Sequence, residues 1–166
     1  MAANPALWAD IRRDLDAART NIRNAAMRAD ALHTGGPLPD DLRMDREYAI
    51  GLMLHNGYGA MECAMECALE RLVQAVDGGL PSGAAYHAEL IRRAAAPVAG
   101  LRPAMITSET AGRLQKLRSF RRALRHAYDG YDYTRAAENV PVAVAVEDSF
   151  RADMTAFATS MGILPE

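Results

Sequence analysis

A chain of 166 residues is long enough for one domain with a sizeable core and short for two, so residues 1–166 are read as a single domain. Half of the residues are apolar, about a quarter are charged and the net charge is -2, a composition that excludes an intrinsically disordered chain. No run of about 18 uninterrupted apolar residues occurs, so no membrane-spanning helix is expected. The start, Met-Ala-Ala-Asn-Pro, turns charged at Asp10, Arg12 and Arg13 and lacks the pattern of a secretory signal, which makes the cytoplasm the expected location.

Alanine and arginine are abundant and β-branched residues sparse, which favours helix over sheet. Residues 5–33 read as a first long helix. Pro5 suits its first turn, and Leu7, Ile11, Leu15, Ala18, Ile22 and Ala25 step by three or four, with Arg12, Arg13, Asp16, Arg19 and Arg23 between them. Gly35-Gly36-Pro37 breaks it. Residues 41–77 read as a second long helix, apolar around much of its circumference and therefore expected at the centre of a bundle. Tyr48, Leu52, His55, Gly59, Glu62 and Glu66 form one column along it. Gly51, Gly57 and Gly59 weaken it locally or admit a close neighbour. Cys63 and Cys67, four residues apart, share a face and are expected as buried, reduced core thiols; two thiols alone make a poor zinc site.

Gly78-Gly79-Leu80-Pro81 stops the second helix, and a shorter one is predicted over 82–96 with Ser82 as its cap. Pro97, Gly100 and Pro103 mark an irregular connection. Ser108-Glu109-Thr110 opens a helix that should run to about 128, where Asp129-Gly130 ends it. A last helix is expected over 141–161. The predicted fold class is all-α, an antiparallel bundle of four or five helices.

The modest net charge hides an asymmetry. Between Thr110 and Tyr128 lie Arg113, Lys116, Arg118, Arg121, Arg122 and Arg125 and no acid, so this stretch carries +6 and the rest of the chain -8. Arg118, Arg121, Arg122 and Arg125 fall at helical spacing and form one basic stripe beside the apolar stripe of Leu114, Leu117, Phe120 and Leu124. Such a stripe either pairs with acids elsewhere in the fold or offers a field that attracts phosphates. Charge alone does not single out RNA.

Within the stripe stands Arg121-Arg122-Ala123-Leu124-Arg125-His126-Ala127-Tyr128, an arginine followed after four residues by a histidine and after one more by a tyrosine. Around it are Tyr58-Gly59-Ala60-Met61-Glu62, Tyr86-His87-x-Glu89-Leu90, Leu101-Arg102-Pro103-Ala104 and the tyrosines Tyr131 and Tyr133. This order resembles the HepT-like branch of the HEPN ribonucleases across most of residues 48–160. One position departs from that pattern: Arg122 stands where those families usually carry a small polar residue or histidine.

The resemblance implies an HEPN-like helical bundle and a metal-independent endoribonuclease of a toxin–antitoxin pair, with no cofactor and no metal site. Arg121, His126 and Tyr128 would be its catalytic residues, and Arg118, Arg122 and Arg125 would bind RNA phosphates. The RNA would be tRNA or mRNA. The implied partner is a nucleotidyltransferase antitoxin of the MNT type that attaches AMP to Tyr128, with Tyr131 and Tyr133 as neighbouring acceptors. The chemistry is coherent. The RNA 2′-hydroxyl serves as internal nucleophile, a histidine transfers protons near neutral pH, and a guanidinium offers planar paired donors to the charged phosphorane-like transition state.

On an ideal helix Arg121 and His126 lie about 140° apart, so they converge only where the helix ends or distorts, or where a second subunit completes the cleft. A homodimer with a shared arginine-rich cleft is the expectation that the resemblance also favours. Arg122 keeps an alternative open, a non-catalytic nucleotide- or substrate-binding partner of a nucleotidyltransferase. His33 and His55 have no ligand-spaced partners and read as structural or exposed, and His87 as packing or lining the cleft.

Overall fold

The computed structural model of the protein describes residues 5–72, 80–125 and 132–164. Among them are five α-helices and no strand; the one β-bridge is an isolated pair, Val98 with Arg102. The expected all-α fold is what the chain forms.

Helix α1, Pro5–Thr34, buries Ile11, Leu15, Ala18, Ile22 and Ala25, the stripe that the spacing marks. Helix α2, Asp40–Cys67, opens with Asp40 and Asp41, whose charges favour a helix N-terminus, and continues as a π-helical turn over Ala68–Leu72. It touches each of the other four helices and buries Ile50, Leu54, Tyr58, Met61, Ala64 and Met65, so the predicted central helix is central. The last part of its predicted span, 73–77, lies outside the described residues. At Gly57, α1 packs close against α2. A Cβ there would stand 2.6 Å from Ile22 Cγ1, so only glycine fits without displacing a buried side chain.

Helix α3 is Tyr86–Ala95, shorter than predicted; Ala85 rather than Ser82 is its cap position, and no side chain caps it. Gly83, at φ +83°, turns the chain into it. The carbonyls at the other end of α3 are met by Arg102, which is buried and donates to the Arg93, Ala96 and Pro103 oxygens at 3.0, 2.8 and 3.1 Å. The Arg-Pro loop is thus a C-terminal cap for α3.

Helix α4, Ser108–Arg125, begins where Thr107 Oγ1 accepts the Thr110 backbone N–H at 3.2 Å. Helix α5 is Tyr133–Ser160, eight residues longer at its start than the predicted 141–161, with Pro141 inside it. Asp132 caps it through the Thr134 backbone N–H at 3.0 Å, and Ala136 and Val140 are buried on the core face. Cap and burial together outweigh the one backbone hydrogen bond that Pro141 gives up.

The cysteines correct an expectation. Both are free, but Cys63 is exposed and Cys67 only half-buried. The core-facing positions of this stretch are Met61, Ala64, Met65 and Ala68, which turns the 63/67 face toward the rim. Partial burial and then the Glu66 and Asp14 charges push the Cys63 thiol pKa up, so it is a poor thiolate.

Candidate active site

The polar centre of the bundle lies where α2, α3 and α4 meet, and Glu62 is its hub. Its side chain is only 5% exposed. A carboxylate so placed demands partners, because burying an unpaired charge is costly. It has two. Arg121 Nη1, from α4, donates to Oε2 at 2.7 Å, and His87 Nδ1, from α3, meets Oε1 at 2.7 Å. Nη1 and Nδ1 are themselves 3.4 Å apart. The Arg121 guanidinium also lies over the Tyr58 ring, 5.5 Å from its centroid.

One turn along α2, Glu66 accepts the Tyr86 hydroxyl at 2.6 Å. The Tyr86 and His87 rings are perpendicular, with centroids 5.3 Å apart. Two glutamates on successive turns of α2 therefore hold two adjacent rings of α3. Burial and the Glu66 hydrogen bond raise the Tyr86 phenol pKa, so it stays a donor. Tyr58 lies one turn before Glu62 and is fully buried; burial first, then the Glu62 charge, raises its phenol pKa too. Among the described residues, the buried Tyr58 hydroxyl and Arg121 Nε have no hydrogen-bond partner.

Arg121 is thus the first half of the motif, held by a buried carboxylate and 17% exposed. Arg118 lies on the same side of α4, half-buried, with its Nε on Gln115 Oε1 at 2.7 Å. His126 and Tyr128 lie outside the described residues, as do the side chains of Arg122 and Arg125. His33 is exposed and borders a separate hollow of about 660 Å³ between the end of α1 and the start of α5, with Asp30, Arg43 and Tyr133. Among the described residues no group of three His, Cys, Asp or Glu side chains could hold a metal ion, and no helix is long and apolar enough to cross a membrane.

The family model for HepT-like proteins matches residues 49–161, about two thirds of the chain, which takes in α3, α4, α5, the larger part of α2 and every residue of this polar centre. The chain is a HepT-like protein. No curated protein and no solved structure matches it. Membership brings an HEPN-type, nuclease-like helical fold to the chain.

Sequence reasoning singled out Arg121 but missed Tyr58, Glu62 and Glu66 as its setting. The signal was present: Tyr58, Glu62 and Glu66 recur every four residues on a helix otherwise fit for the core, and two acids on the central helix of a bundle need cations from its neighbours. His87, read as packing or lining the cleft, proves to be bonded to the buried acid.

Proposed function

We propose that this HepT-like protein is a metal-independent endoribonuclease, the toxin of a toxin–antitoxin pair, acting on tRNA or mRNA in the cytoplasm through Arg121, His126 and Tyr128. The observation that carries the reading is the ion pair between Arg121 and the buried Glu62 at the junction of three helices. It fixes a guanidinium at the motif position through one amino group, which leaves the second amino group to meet an oxyanion. His126 moves the proton, Tyr128 orients the phosphate, and Arg118, Arg122 and Arg125 extend the positive field along α4. A nucleotidyltransferase partner that adds AMP to Tyr128 would place bulk and negative charge beside these donors and silence them.

The cleft is completed by a second copy of the chain. Met44, Tyr48 and Leu52 recur every four residues on α2 and are 53%, 49% and 59% exposed. That apolar stripe runs along the same helix toward Glu62, which suits an isologous contact that brings two motifs together.

One observation favours the alternative of a non-catalytic binding partner of a nucleotidyltransferase: Arg121 is only 17% exposed and has one amino group engaged by Glu62. The two readings part in one experiment, cleavage of total tRNA and mRNA in excess EDTA by the wild-type chain beside His126→Ala. Cleavage by the wild type alone establishes the ribonuclease. No cleavage by either, from folded and unmodified protein, supports the binding partner.

A further inference from the structure

We infer that His87, oriented by Glu62, is a second proton-transfer residue of this site, whose Nε2 takes the proton from the RNA 2′-hydroxyl. The inference rests on the ribonuclease reading above and deepens it.

The geometry assigns the tautomer. Glu62 accepts from Arg121 through Oε2 and faces His87 Nδ1 through Oε1, each at 2.7 Å. Arg121 Nη1 can only donate and comes no nearer to Nδ1 than 3.4 Å, whereas the carboxylate, which can only accept, stands at 2.7 Å, so the shorter, charge-assisted contact decides. Nδ1 therefore carries the hydrogen and donates it to the carboxylate, which leaves the lone pair of the neutral ring on Nε2. A buried acid that fixes the tautomer of a histidine is the arrangement that turns an imidazole into a directed base.

Exposure points the same way. Glu62 is 5% exposed and the His87 side chain 39%, so the imidazole reaches solvent while the carboxylate that holds its Nδ1 does not. Among the described residues only Nδ1 is engaged. The ring is fixed a second time by Tyr86, perpendicular to it and tied to Glu66. Among the described residues, the charged and titratable groups around His87 are Glu62 and Glu66 from α2, Tyr86 from its own helix and Arg121 from α4.

In the step proposed, Nε2 removes the 2′-hydroxyl proton as the 2′-oxygen bonds to phosphorus. The bond from phosphorus to the 5′-oxygen breaks, and that oxygen leaves with a proton from His126. The products are a 2′,3′-cyclic phosphate and a 5′-hydroxyl. Glu62 acts as a positioning residue.

His87→Asn separates catalysis from packing, because the amide N–H of asparagine can still donate to Glu62 but no proton-transfer group remains. The test compares wild type, His87→Asn and His126→Ala in the full chain on one oligoribonucleotide and on the same sequence with sulfur in place of the bridging 5′-oxygen. His87→Asn should lower kcat/KM by roughly 10²–10³-fold on both substrates and remove the rise of kcat/KM with pH on the acid side. His126→Ala should recover on the sulfur substrate, whose leaving group needs no proton. Cleavage by His87→Asn within about threefold of a cleaving wild type overturns the inference and leaves the ribonuclease reading standing. A folded wild type that cleaves neither substrate overturns both.

Discussion

Among the described residues two glutamates are buried, and their surroundings differ. Glu147, on α5, is 2% exposed at its side chain and answered by three guanidiniums: Arg151 at 3.2 Å, Arg19 at 3.3 Å and Arg23 at 3.7 Å. Asp148 and Asp16 pair with the same arginines, so the cluster is three against three and ties α1 to α5. Its charge raises the Arg19 pKa. Arg19 and Arg23 are nearly half exposed and reach water at their outer edge. Among the described residues, Glu62 instead has one arginine, largely buried, and one histidine, at shorter distances, and the nearby Tyr58 hydroxyl and Arg121 Nε have no hydrogen-bond partner. Burial of an acid does not by itself mark a candidate site. A saturated cluster with solvent-facing arms is a brace, whereas donors left without partners beside a buried acid make a candidate ligand site.

That contrast can be broken in four ways. The largest effect is expected on activity: Arg121→Lys keeps a positive charge for Glu62 but loses the planar fork, and RNA cleavage should fall about 10²-fold, whereas Glu147→Gln should leave it within about threefold. Equal losses in both variants would sink the distinction between site and brace. Second, Glu147→Ala should lower unfolding free energy in urea by the lower end of the ~3–5 kcal/mol that removing one partner of a buried pair costs, since Arg19 and Arg23 can turn to water. Third, Gly57→Ala should cost about 1–3 kcal/mol by forcing Ile22 out of the way. It loosens α1 against α2, so a lowered Tm with kcat retained well below it is the outcome expected.

The smallest effect belongs to a third glutamate that has pairing without burial. Glu89 accepts from Arg92 and Arg93, whose hydrogen bonds hold its carboxyl pKa down to about 2. A depressed folded-state pKa means stability that is present above the ordinary carboxylate range and is lost as pH falls toward about 2. Because these side chains meet water, the contribution is small. Glu89→Gln should melt slightly below the wild type at pH 6, and the gap should close by pH 2; a gap that persists there would mean that packing of the side chain, and not its charge, sets the difference.

Much of the bundle was legible in the sequence because its cause is local. The apolar step from Ile11 to Ala25, the breaks at Gly35-Gly36-Pro37 and the circumference of the second helix set α1 and the central place of α2, since a helix apolar on most sides has only an interior to occupy. The start of α5 was misplaced for an equally physical reason. Pro141 reads locally as a beginning, and only packing of Ala136 and Val140 against neighbours far along the chain makes a helix through it worthwhile. The motif put Arg121 in view, because arginine, histidine and tyrosine at that spacing form a contiguous string. What only the tertiary structure decided is what Arg121 touches. Glu62 is 59 positions away and His87 34, and they meet because three helices cross at one level, a relation that no spacing along a single helix encodes.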